Sequence, residues 1–176
     1  MIRIQLIDEM QKNDINIENE SFLLYGKMIP SYNGKWSYTT ELLPEEEHNL
    51  MTFPDENYSY DELAKNSFFV GAYDEDNQCI GLAIYQKSWN KYLYLYDLKV
   101  KSSHKKSGIG KALIEKGKEI AVTNGYNGIY TQGQDNNLSA CLFYVKTGFK
   151  IGGFDTMLYS GTKQEGKSDV IFYLDC

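Results

Sequence analysis

A lysine-rich loop, Lys105-Lys106-Ser107-Gly108-Ile109-Gly110, separates a strand-like run from a helical one and sets the topology around it. The N-terminus of a helix carries unpaired N–H groups and partial positive charge. Glycines beside it let the backbone approach an anion closely. Gly108 and Gly110 supply that closeness, and Lys105, Lys106 and Lys111 add charge, so the loop can hold a pyrophosphate. The spacing is not that of a triphosphate-binding loop, since there is no G-x-x-x-x-G-K-[ST]. Nor is it a dinucleotide fingerprint, since G-x-G-x-x-G fails at Leu113. A Gly-x-Gly turn alone serves equally well as a tight strand-to-helix connection.

The hydrophobic pattern around the loop is mixed α/β. Arg3–Ile7 reads as a strand, and Asp8 to about Lys27 as one or two helices with a weak pattern. Residues 30–60 are punctuated by Pro30, Asn33-Gly34, Pro44 and Pro54, and read as a helix-containing excursion or a lid. Ser67–Tyr73 and Cys79–Gln86 read as a hairpin around Asp74-Glu75-Asp76-Asn77, and Lys91–Val100 as the next strand. A helix is expected from Gly108 to about Thr123, ended by Asn124-Gly125. Asn127–Gln132 is a short strand. Leu138, Cys141, Leu142 and Val145 fall on one helical stripe, and Phe149–Leu158 and Asp169–Leu174 form a last strand pair.

The 176 residues are expected to form one domain, 1–176, with a full core. No apolar stretch approaches the ~20 residues of a membrane span. The N-terminus alternates like a strand and lacks a secretory h-region. Cys79, Cys141 and Cys176 show no C-x-x-C spacing, and His48 and His104 are far apart, so no disulfide scaffold and no metal site are expected. These features fit a cytoplasmic protein.

Charge is uneven. Residues 1–62 hold 13 acids and 4 bases, a charge of −9, while the remainder holds 14 bases and 11 acids. Lys99, Lys101, Lys105, Lys106 and Lys111 cluster with no acid between Asp97 and Glu115. A local cationic patch on an acidic protein suits a small polyanion rather than nucleic acid, although lysines of this kind are also found on merely solvated loops.

Two motifs carry a resemblance. Asp97-Leu98-Lys99-Val100 followed by Lys105-x-x-Gly108-Ile109-Gly110-Lys111-x-Leu113-Ile114 resembles the acetyl-CoA-binding segment of the GNAT N-acetyltransferases. Lys105 stands where that family usually has Arg or Gln. Asn137-x-x-Ala140-x-x-Phe143-Tyr144-x-x-x-Gly148-Phe149 resembles the family's second signature. Ile151-Gly152-Gly153-Phe154-Asp155, Leu158-Tyr159, Lys87-Ser88-Trp89-Asn90 and the run Gln132 to Asn137 are similar to the streptothricin acetyltransferases within it. Residues 1–66 match less well, and they should include the acceptor-binding region.

The resemblance implies a central, mostly antiparallel twisted sheet, splayed in the middle and flanked by helices. It implies acetyl-CoA as cosubstrate and no metal. The acceptor would be an amine of a small cationic molecule, foremost the β-lysine amine of streptothricin. Another small amine, a protein amine, or a non-catalytic acetyl-CoA-binding role are the alternatives; a homodimer is left open, and neither nucleic acid nor membrane is expected as a partner. By resemblance, the cosubstrate contacts fall to Leu98, Lys99, Val100, Lys105, Lys106, Ser107, Gly108, Ile109, Gly110, Lys111, Asn137, Ala140 and Tyr144.

Acetyl transfer needs a neutral amine, a donor for the oxyanion and a proton for the leaving thiolate. Tyr144 shares a helical face with Asn137 and Ala140 and is the candidate general acid; packing is the alternative. Asn137 would bond the pantetheine arm, or else cap its helix. In strict alternation Asp97 points with Leu93 and Leu95, an acid on an apolar face. Burial would raise its pKa and suit it to be the general base. A structural carboxylate or a water chain are the alternatives. The acids of residues 1–62, and Asp155, are candidates to attract a cationic acceptor.

Overall fold

The computed structural model describes residues 1–176. In chain order it contains β1 (Arg3–Leu6), a 3-10 helix (Glu9–Asn16), β2 (Phe22–Leu24), β3 (Gly26–Tyr32), β4 (Trp36–Leu42), a 3-10 turn (Glu45–Glu47), β5 (Asn49–Met51) and α1 (Tyr60–Leu63). There follow β6 (Ser67–Tyr73), β7 (Cys79–Gln86), β8 (Tyr92–Val100), a 3-10 turn (Ser102–His104), α2 (Ile109–Thr123), β9 (Gly128–Gln134), α3 (Leu138–Lys146), β10 (Lys150–Asp155) and β11 (Asp169–Asp175). The chain divides into two compact units. The first comprises Met1–Glu20, Phe53–Ile129 and Cys176, and the second Ser21–Thr52 and Tyr130–Asp175.

In the first unit, β1, β6, β7 and β8 lie side by side in that order, each antiparallel to its neighbour. β6 and β7 are apolar almost throughout because both of their faces are covered. One face packs Phe69, Leu82 and Ile84 against Ile7 and Ile15, the latter from the first 3-10 helix. The other face meets α2. There the Tyr85 hydroxyl donates to the Leu113 carbonyl (3.0 Å). A Cβ on Gly117 would lie only 2.2 Å from the Tyr85 ring, so a glycine in mid-helix is the condition for this approach. Asp74 closes the β6–β7 hairpin by accepting from Asp76 N and Gln78 N.

β8 departs from regular alternation. Its register against β7 runs Tyr94↔Gln86, Leu95↔Tyr85 and then Asp97↔Ile84, so Tyr96 is an extra, bulged residue. Residues directly opposite share a face. Leu95 therefore lies on the Tyr85 face, toward α2, and Asp97 lies on the Ile84 face, away from it. The expectation that Asp97 points with Leu93 and Leu95 is thus wrong: the inserted Tyr96 flips every residue after it. Lys99, opposite Leu82, lies with Asp97; Leu98 and Val100, opposite Ala83 and Gly81, lie on the α2 face.

In the second unit, β3 and β4 form a hairpin turning at Asn33–Lys35, and β2 pairs with β5. β11 lies between β9 and β10 and is antiparallel to β10. Leu138, Cys141 and Tyr144 are the buried positions of α3. The polar N-terminal third departs most from expectation. The helical reading of residues 8–27 holds only for Glu9–Asn16, capped by Asp8 with Gln11 reciprocating. Beyond it, Asn16 and Asn19 spend their side chains on residues 54–58 instead of prolonging the helix: Asn16 Nδ2 donates to Tyr58 O, and Asn19 Nδ2 to Pro54 O and Glu56 Oε1. Residues 30–60, read as a helix-containing excursion or lid, hold all or part of three strands, and their helical content is limited to the 3-10 turn Glu45–Glu47 and the start of α1.

Burial pushes the Cys79 thiol up to about 11 and the Cys141 thiol up to about 12, with nearby Asp14 acting on the former and Asp135 on the latter in the same direction. Cys176 is exposed. A disulfide-exchange colour reagent at pH 8 is expected to titrate one thiol in the native protein and three after unfolding. Rapid native titration of all three would contradict this core.

Candidate active site

In the first unit, β8 leads through the 3-10 turn Ser102–His104 into α2. Ser102 N donates to Glu20 Oε2 (2.5 Å), and the Ser107 hydroxyl donates to the His104 carbonyl, which ties the loop to itself. Lys106 (φ 63°) and Gly108 (φ 85°) both take left-handed backbone, and Gly108 caps α2 with no side chain to occupy the helix's first N–H groups. Lys105, Lys106, Ser107, Gly108 and Lys111 are exposed around that start, whereas Ile109 is buried and seats the first turn against Gly81. No acid lies in the first turn of α2. Lys111 there runs against the helix dipole, so an anion at the turn would be favoured twice, by the N–H groups and by the lysine.

The predicted lysine patch splits. Lys105, Lys106 and Lys111 surround the loop, but the Lys99 side chain is only 8% exposed and turned to acids: Nζ lies 2.6 Å from Glu56 Oε2 and 3.3 Å from Asp97 Oδ2, and it donates to the Ile17 carbonyl at 3.1 Å. The expectation that its charge serves the loop is corrected, because the bulge at Tyr96 aims it to the opposite face. Lys101 lines an acidic cavity of about 530 Å³ with Asp14, Glu18 and Glu20.

Asp97 sits in a built cluster. Tyr58 Oη donates to Asp97 Oδ2 (2.9 Å), and the ammonium of Lys99 lies 5.7 Å from the Tyr58 ring centroid. Burial raises the Asp97 carboxyl above its ordinary value, against the opposing charge of Lys99 and the Tyr58 hydrogen bond. Burial works the same way on Glu56, but hydrogen bonds from Asn19 and Lys99 outweigh it and bring that carboxyl below its ordinary value. Burial, and then the Asp97 charge, push the Tyr58 phenol far up, so it stays a donor. Sequence reasoning missed Glu56 and Tyr58. They lie in a stretch without periodicity, some forty positions from the strand they reach.

In the second unit, Tyr144 is 8% exposed, and its ring packs on Phe143, Phe149 and Phe172 with centroids 5.3–5.6 Å away. It belongs to the buried stripe of α3, which the sequence expectation had set apart from it. Asn137 Oδ1 accepts from Ala140 N (3.3 Å), so Asn137 is the N-cap of α3. Two buried carboxylates went unflagged: Asp135, which accepts from Ser168 N, and Asp169, which accepts from Tyr159 Oη (2.6 Å) and is raised by burial. Asp155 accepts from Met157 N and Leu158 N in a local turn.

The model of the Acetyltransferase (GNAT) family matches residues 32–149. Streptothricin acetyltransferase A of Bacillus subtilis (strain 168) is 35% identical over 171 residues, covering 97% of this chain and 98% of the relative. The chain belongs to the GNAT family. It is an acetyl-CoA-dependent N-acetyltransferase. A streptothricin acetyltransferase of Escherichia coli is 30% identical over 57% of this chain and 63% of its own. Among solved structures, the acetyl-CoA complex of a Bacillus anthracis protein assigned as a streptothricin acetyltransferase superposes with a TM-score of 0.88 at 28% identity over the whole of both chains. Nourseothricin acetyltransferase, at 24% identity, shares the fold with a TM-score of 0.80 over 99% of this chain and 98% of its own.

Within this acetyltransferase the two loop glycines differ in what they require. Gly108 needs its glycine for backbone conformation, while Gly110 has no left-handed φ and sits inside a helix, where glycine costs about 0.5–1 kcal/mol against alanine. Gly110→Val is therefore the cleaner probe. It is expected to leave the fold intact and raise the acetyl-CoA KM by about tenfold or more through its Cβ branch. An unchanged KM in the folded variant would remove the loop from the cosubstrate site.

Proposed function

We propose that the chain acetylates an amine of a small cationic acceptor, with streptothricin, on its β-lysine amine, as the leading candidate. The observation that carries this reading is the 35% identity to a streptothricin acetyltransferase across nearly the whole chain, together with the anion-ready start of α2. In this reading residues 1–176 act as one acetyltransferase domain. The N–H groups from Gly108 to Lys111, with Lys105, Lys106 and Ser107, hold the pyrophosphate of acetyl-CoA. Leu98, Lys99 and Val100 lend backbone groups to the pantetheine arm. On α3, Asn137 serves the same arm through its amide nitrogen, since its oxygen caps the helix, and Ala140 leaves room for it.

The amine attacks the thioester carbonyl only when neutral. Asp97, whose carboxyl is raised by burial, takes the first proton of the ammonium, directly or through water. As the tetrahedral intermediate collapses, the carbon–sulfur bond breaks and the thiolate takes a proton from the Tyr144 phenol. The nitrogen's second proton restores the phenol, so the products are the amide, coenzyme A and the one proton that Asp97 passes to solvent. The acids of residues 1–62, of which Asp14, Glu18 and Glu20 line one cavity, favour a cationic acceptor by long-range attraction.

The test is thiol release from acetyl-CoA over a panel of streptothricin, spermidine, lysine amide and an N-terminal peptide. Streptothricin is expected to give the highest kcat/KM. Turnover confined to the peptide would overturn the reading, and no turnover at all would leave a binding module. Tyr144→Phe is expected to lower kcat on the order of 10²-fold with the acetyl-CoA KM nearly unchanged, since only the transition state loses a partner. The ring and its packing on Phe149 and Phe172 remain. Wild-type-like acetyl transfer in a pre-steady-state measurement would end the general-acid role.

A further inference from the structure

We propose that the bulged Tyr96, flanked by Tyr58 and Asp97, is the docking surface for the ammonium group of the acceptor. This rests on the reading of the enzyme as acetylating a cationic amine, and it names a site for that cation. Three observations converge on it. Tyr96 is the extra residue in β8, and bulges commonly re-aim a side chain beside a functional site. It is 41% exposed in a strand whose flanking residues are buried or half-buried, so a large aromatic face is held open. That face is also fixed: the Tyr58 ring lies 5.8 Å away at 52° and the Tyr94 ring 6.0 Å away at 74°.

The chemistry around the ring is that of a cation site. An ammonium within about 6 Å of a tyrosine centroid is attracted by the ring's quadrupole. Lys99 shows the same attraction inside the protein, lying 5.7 Å from the Tyr58 centroid. The ionisable groups gathered here are Asp97, Glu56, Lys99 and the Tyr58 phenol, with Tyr96 itself beside Tyr58. The single ammonium of Lys99 is shared between two carboxyl groups, so acids outnumber bases beside the open ring. Tyr58 links the two residues, its ring 5.8 Å from that of Tyr96 and its hydroxyl donating to Asp97, so a primary alkylammonium resting on Tyr96 would lie on the same cluster as the proposed base.

The experiment compares wild type, Tyr96→Phe and Tyr96→Leu, with streptothricin, spermidine and lysine amide as probes at saturating acetyl-CoA. Tyr96→Leu is expected to raise the acceptor KM, and the acceptor Kd measured by calorimetry, by about 5- to 30-fold. The acetyl-CoA KM and the thermal midpoint should stay put. Tyr96→Phe, which keeps the face, should stay within about twofold of wild type. Equal affinity in wild type and Tyr96→Leu would overturn the proposal, as would equal losses in Phe and Leu, because the hydroxyl and not the ring would then be what matters. A wild type that binds spermidine or lysine amide but not streptothricin would fail the choice of acceptor alone, and the three variants are then judged on the amine that binds. A wild type that binds none of the three overturns both.

Discussion

The single extra residue in β8 governs the chemistry of the first unit. Against β7 the strand is regular up to Leu95 and again from Asp97, and Tyr96 between them has no partner. Because side chains alternate with period two, that one residue sends Asp97 and Lys99 away from α2, and Leu98 and Val100 toward it. The same strand can therefore build a charged cluster on one face while contributing aliphatic side chains to the packing of α2 on the other. Without the bulge, Asp97 would fall on the face of Tyr85 and α2, away from Glu56 and Tyr58.

Lys99 then binds the pieces together. Its ammonium meets the acid of its own strand, the acid at position 56 and the carbonyl of Ile17, and so ties together three stretches far apart in sequence. Removing one partner of a buried pair leaves the other uncompensated, which is strongly unfavourable. The cluster holds residues 54–58 against the sheet, a segment with no regular secondary structure of its own before α1.

Much of this was legible in the sequence wherever periodicity was strong. The β6–β7 pair, the span of α2 and the last two strands follow from apolar runs and turn residues, and the two family signatures pointed to the loop at Gly108 and the helix of Tyr144. The rest hid for physical reasons. A bulge leaves no mark on hydrophobic alternation, so Asp97 was assigned burial for the wrong face. A lysine near other lysines looks like part of a patch, and only the fold shows that Lys99 turns to carboxylates. The polar N-terminal third resisted because Asn16 and Asn19 satisfy backbone groups some forty residues away, which no local pattern records. Tyr144 was set on the face of Asn137 and Ala140, apart from the apolar stripe, yet it is buried, in part by Phe149 and Phe172 from later in the chain.

The contact between Tyr85 and Gly117 bears on more than packing. Tyr85 grips α2 at Leu113 and at Gly117, one and two turns in from its start, so the helix is clamped from its second turn to its middle. With 1.5 Å of rise per residue, the N–H groups at Gly108–Lys111 lie within about 8 Å of the Leu113 end of that clamp. The start of α2 is thus a stiff, already aligned set of donors, and an anion arriving there need not spend binding energy on ordering it. A residue that touches no ligand, on the strand behind the helix, thereby becomes a determinant of how tightly the loop can hold one.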